Sequence, residues 1–120
     1  AIYEGVAFGH RQHVDRLLRF RGMPERIRLS GGAARSKPWV EIFADVFQAP
    51  VETPAGTELG ALGAAITAAV AVGAHTSFDA AVRAMVRFEH VQTPHTGRKP
   101  LYEAKYARYQ QVAAALNSVW

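Results

Sequence analysis

Four short groups of residues in this sequence could do chemistry. The first is Arg28-Leu29-Ser30-Gly31-Gly32-Ala33-Ala34-Arg35-Ser36-Lys37-Pro38-Trp39, a strand-like run that passes through paired glycines into a helix. Glycine lets a backbone approach a ligand with no Cβ in the way, and a helix start offers unpaired N–H groups at its positive end. That pairing suits a phosphate or a nucleotide. The same pattern also serves simply to turn a strand into a helix. The second group is His10 and His13, which share a helix face at i, i+3; zinc needs a third ligand, and neither Glu4 nor Asp15 is fixed in position to supply it. The third is Asp45, a carboxylate between Ala44 and Val46 inside an amphipathic run, which is a poor setting for a general base. The fourth is the arginine series Arg11, Arg16, Arg19, Arg21, Arg26, Arg28 and Arg35. Asp15 and Glu25 interrupt it, no aromatic platform accompanies it, and a net charge of +4 is modest. A solvated helix face explains these arginines better than a nucleic-acid surface.

These residues must be positioned by a single core. With 120 residues and 49% hydrophobic content, one domain or part of one is expected. Without cysteine, disulfides, thiolate metal sites and cysteine nucleophiles are excluded. The apolar run from Ala61 to Ala74 is mostly Ala and Gly, broken by Thr67, and reads as a buried helix rather than a bilayer span.

The spacing predicts a helix from Ala1 to about Phe20, with Ile2, Val6, His13, Val14, Leu17 and Leu18 on one face. No capping residue precedes it, so we expect the chain to be the end of something longer. Gly22, Met23 and Pro24 break the helix, and Arg26 to Ser30 reads as a short strand. Trp39, Ile42, Phe43, Val46 and Phe47 mark the clearest amphipathic helix, from Lys37 or Pro38 to Phe47. A second strand follows at Pro50 to Thr53, and strand, helix, strand in this order implies a parallel βαβ unit. Thr57 is expected to cap the next helix, whose apolar line is Leu59, Leu62, Ile66 and Val70. Another helix, capped by Thr76 or Ser77, runs to about Met85; Val86 to Lys99 reads as a loop, and a last helix from Pro100 to Leu116 carries a packing stripe of Tyr102, Tyr106 and Tyr109. Two short parallel strands do not make a self-sufficient sheet, which again points to missing neighbours.

Four segments in order carry a resemblance: Ala1-Ile2-Tyr3-Glu4-Gly5-Val6-Ala7-Phe8, the glycine turn through Trp39, Ala44-Asp45-Val46, and Glu58-Leu59-Gly60-Ala61-Leu62-Gly63-Ala64-Ala65. Together they resemble the C-terminal end of an FGGY-family carbohydrate kinase, over nearly the whole chain. Within the family, Glu4 to Phe8 with His10, His13 and the Gly-Gly-Ala-Ala-Arg-Ser run are most similar to ketopentose kinases, those for L-xylulose among them, and to polyol kinases. The resemblance implies an α/β fold, the C-terminal portion of an actin-like, ribonuclease-H-like ATPase domain, with residues 1–120 forming part of that domain. It implies ATP and Mg2+ as cofactors, a sugar or polyol as substrate, a cytoplasmic enzyme without membrane or nucleic-acid partners, and possible homodimers. The family's general base lies upstream, so the resemblance assigns no catalytic residue and no metal ligand here. It does assign Gly31, Gly32 and Ala33 to the adenine and ribose, with Ser36 at a polar position where relatives frequently carry Asn. The competing expectation is a free-standing small α/β module that binds a nucleotide or an acidic partner without catalysis.

Overall fold

A computed structural model describes residues 1–56 and 58–117. The elements are α1 (Ile2–Leu17), β1 (Ile27–Arg28), a 3-10 turn (Gly32–Arg35), α2 (Lys37–Phe47), β2 (Val51–Pro54), α3 (Leu59–Ala71), α4 (Phe78–Met85), β3 (Phe88–Gln92), a second 3-10 turn (Thr96–Arg98) and α5 (Lys99–Asn117).

The βαβ unit is present: β1 pairs parallel to β2, Ile27 opposite Val51 and Arg28 opposite Glu52, with α2 between them in sequence. Pro38 sits in the first turn of α2, where its missing N–H leaves no bond unmade, and Gln48 ends the helix in the left-handed region at φ +51°. Much of α2 is buried, including Val40, Phe43, Ala44, Asp45 and Val46. It is the central helix, touching α1, α5 and the sheet.

Three expectations need correction. The segment from Val86 to Lys99, expected to be a loop, contains β3, which pairs antiparallel to β2 and completes a sheet of order β1-β2-β3. Its sequence Phe-Glu-His-Val-Gln is largely exposed, so no apolar alternation marks it; the strand is held by backbone pairing instead. In α1 the buried positions are Ala7 and Phe8, while Ile2 is 83% and Leu17 59% exposed. The helix turns inward the side that meets α2 and α5, where Phe8 packs near Tyr102, Tyr106 and Tyr109 with ring centroids 5.7–6.4 Å apart. The tyrosine stripe of α5 is thus packing surface, as its spacing suggests.

In α3 the apolar line holds, with Ile66 buried and Leu59, Leu62 and Val70 half-buried, but the run from Ala61 to Ala74 is not the buried helix expected. Ile66 is the one buried residue of α3, and the small residues around it are largely exposed because the helix packs chiefly on α4. Ser77 caps α4, its hydroxyl accepting from the Ala80 N–H at 3.1 Å. Thr57, the expected cap of α3, lies outside the described residues.

Candidate functional site

The glycine turn begins where β1 ends. Leu29 N–H still donates to the Glu52 carbonyl at 2.9 Å, and two residues later Gly31 stands at φ +78°, ψ −155°, a conformation that L side chains rarely adopt. The chain then closes one tight turn, with Ala34 N–H donating to the Gly31 carbonyl at 3.2 Å and Ser36 N–H to the Ala33 carbonyl at 3.2 Å. The Ser36 carbonyl in turn accepts from the Trp39 and Val40 N–H groups, each at 2.9 Å, and starts α2.

A cleft of about 430 Å³ opens beside this turn. Its lining comes from three places: Gly31, Ala34 and Arg35 from the turn, Thr53, Pro54, Gly56 and Leu59 from the end of β2 and the start of α3, and Glu89 from β3. The walls are mainly small or apolar, with one cation and one anion among them. Of the four residues assigned by resemblance, Gly31 lines the cleft directly. Gly32 is exposed beside it, and a Cβ built there would meet nothing within 4 Å. Ala33 is half-buried and packs toward the core. Ser36 is half-buried at the start of α2, and its side chain makes no capping bond.

The other candidate groups have structural partners. Asp45 is 3% exposed; its carboxylate accepts from the His95 backbone N–H at 2.7 Å and from Arg98 Nη1 at 3.0 Å, tying α2 to the connection before α5. Arg11 forms a two-pronged bond to Glu103 at 2.9 and 3.0 Å and donates to the Val46 carbonyl at 3.2 Å. Glu52 receives hydrogen bonds from Arg26 and Arg28; the one from Arg26 is the main reason its carboxyl is held below the usual range. His10 lies against the Phe43 ring, 5.6 Å between centroids, and no three His, Asp or Glu side chains converge as a metal site among the described residues.

Residues 1–72 match the C-terminal domain of the FGGY family of carbohydrate kinases. The chain belongs to this family. Its sequence is 37% identical over 117 residues to the L-xylulose/3-keto-L-gulonate kinase of Escherichia coli strain K12, covering 98% of this chain and 24% of that protein. It is 34% identical over 113 residues to the autoinducer-2 kinase of Yersinia pestis strain Pestoides F, covering 93% of this chain and 21% of that protein. The structure of xylulose kinase from Rhodospirillum rubrum superposes with a TM-score of 0.78 at 36% identity, over 99% of this chain and 24% of the other. The ligand-bound xylulose kinase from Lactobacillus acidophilus superposes with a TM-score of 0.87 at 22% identity, over 98% and 24%, and shows the shared fold. The architecture is therefore that of the C-terminal portion of the actin-like FGGY kinase domain. The chain spans about a quarter of the length of these FGGY relatives.

Among the residues that carry the cleft, Glu89 was not legible in sequence, because it stands on the unmarked strand β3. Arg35 lies inside the glycine motif, and nothing in its sequence neighbourhood marks it as a cleft-lining cation.

Proposed function

We propose that this chain is part of an ATP-dependent carbohydrate kinase that transfers the γ-phosphate of ATP to a hydroxyl of a sugar or polyol. Its own contribution is the adenosine side of the cleft. The observation that carries this reading is the open cleft at the Gly31 turn, in a chain that belongs to a family of carbohydrate kinases. Adenine is flat and needs a backbone it can approach closely; the open space at Gly31 and Gly32 supplies that, and Ala34, Pro54 and Leu59 offer apolar walls. Gly31, Gly32 and Ala33 are assigned to the nucleoside and Ser36 to a polar contact at its edge.

ATP brings the phosphoryl group, and no residue described here is assigned to deprotonate the acceptor. The described donor set offers no cluster that would hold Mg2+, so none of these residues is assigned to it. The acceptor class proposed is a ketopentose or polyol, because the relatives at 36–37% identity are named kinases of xylulose and of L-xylulose/3-keto-L-gulonate. A cytoplasmic location goes with the need for ATP, and a homodimer is the proposed assembly. The test is an ADP-release assay of the intact protein with L-xylulose, other ketopentoses and pentitols. ATP-dependent phosphorylation of one of them is expected; turnover with none would remove the kinase reading in favour of a binding module.

A further inference from the structure

Resting on the adenosine reading of the cleft, we propose that Glu89 is its ribose-reading residue, accepting hydrogen bonds from the 2′- and 3′-hydroxyls and so selecting ribonucleotides over deoxyribonucleotides. The first support is how Glu89 comes to be there. Along the β2–β3 ladder Thr53 pairs with His90 and Pro54 with Phe88, so Glu89 is skipped and has no partner on β2. Such a bulge leaves one residue unpaired and turns its side chain away from the regular alternation, a device that recurs beside functional sites. Pairing resumes past it, with Ala55 N–H donating to the Arg87 carbonyl at 2.8 Å. The irregularity is confined to the one acidic residue that lines the cleft.

The second support is that Glu89 has no work inside the protein. Among the described residues neither the Glu89 nor the Arg35 side chain takes part in a hydrogen bond or an ion pair, whereas Glu52, on the neighbouring strand, is satisfied by two arginines. An ionised carboxylate is an acceptor only, and it repels phosphate. In ATP its complements are therefore hydroxyl or amine donors. Glu89 is exposed at the rim, while Ala34, Pro54 and Leu59 form the apolar part of the lining. A nucleoside with its base against those walls leaves its ribose at the rim, where two neighbouring hydroxyls match two carboxylate oxygens. Arg35, in the lining of the same cleft, favours phosphates leaving on its side.

The test is calorimetric titration of the intact protein with ATP, 2′-deoxy-ATP and inosine triphosphate, for the parent, Glu89→Gln and Glu89→Ala. Glu89 is exposed, so both variants should keep the parent's thermal melt. The parent is expected to bind ATP about tenfold more tightly than 2′-deoxy-ATP, the scale of a hydrogen bond to a charged acceptor. Glu89→Ala should narrow this to about twofold, weakening ATP more than 2′-deoxy-ATP, which keeps only the 3′-hydroxyl, with Glu89→Gln between them. An unchanged preference in Glu89→Ala, with ATP still bound, overturns the role of Glu89 and leaves the adenosine reading standing. A loss of preference for ATP over inosine triphosphate, with the ribose preference intact, means the carboxylate reads the base edge and likewise overturns it. No ATP binding by the parent overturns both readings together.

Discussion

At Gly31 the backbone itself demands glycine, since φ +78° would press any Cβ against the chain, while at its neighbour Gly32 the surrounding protein demands nothing. Substitutions should separate the two. Gly31→Ala should lower stability by about 1–2 kcal/mol through backbone strain, read as a lowered melting temperature. If the nucleoside lies along this turn, Gly32→Val should leave the melt nearly unchanged, since a Cβ there meets nothing within 4 Å among the described residues, and weaken ATP binding by about 1–3 kcal/mol. Unchanged ATP affinity in Gly32→Val would count against adenosine at this turn. Asp45 presents the opposite case, a buried carboxylate whose bonds are all structural. Asp45→Ala should cost about 2 kcal/mol, mainly from the orphaned His95 N–H, and should be measurable as earlier denaturant unfolding.

At the scale of elements, the two ends of α1 are joined to adjacent residues of α5, Lys105 and Tyr106, by groups whose pKa values shift in opposite directions. Tyr106 donates to Asp15 at 2.6 Å, and burial followed by that bond pushes its phenol up to about 12 from an ordinary 10.0. A raised folded pKa means that this stabilisation is complete below pH 10.0 and is lost as pH rises through about 12. Glu4, bonded to Lys105, has its carboxyl held below the ordinary 4.5, so its contribution is present above that pH and disappears as the medium becomes more acidic. Unfolding midpoints followed across pH should show both limbs. Tyr106→Phe should weaken the alkaline limb, to which Tyr102 and Lys105 with their raised values also contribute, and spare the acidic one. Glu4→Gln should remove the acidic contribution of this pair and, through Lys105, a smaller part of the alkaline one. The β3 strand is a different kind of element: with four of its five residues exposed, its place depends on the β2 ladder and on the Asp45 tie behind it.

The whole molecule is long for its mass. Its Cα radius of gyration is 17.4 Å, against about 14 Å for a compact chain of this length. Its accessible surface is 8244 Å², against about 6400 Å² for a monomer of 13.1 kDa. The α3–α4 pair accounts for part of the difference, since α3 packs chiefly on α4 and leaves Val72, Phe78 and Val82 exposed. Such a surface behaves poorly in water. The purified 120-residue chain should bind an apolar-surface dye and show no sugar phosphorylation; ATP-dependent turnover by it would contradict the assignment of the reacting groups to other parts of the kinase.

How much of this was legible depended on whether the signal was local. Trp39, Ile42, Phe43, Val46 and Phe47 at helical spacing, Pro38 at a helix start and Gly31-Gly32 after a strand are short-range patterns, and they yielded α2, the parallel β1–β2 pair and the glycine turn. The four ordered segments yielded the family. The tertiary structure alone decided what depends on distant partners: which side of α1 is inward, since Phe8 meets tyrosines about a hundred residues away; why Asp45 is buried, since Arg98 and the His95 N–H await it; and that Phe88–Gln92 is a strand at all. An exposed strand made by pairing leaves no apolar imprint on its own sequence, and with it the carboxylate of the cleft stays invisible until the ladder brings Glu89 to the cleft that Gly31 also lines.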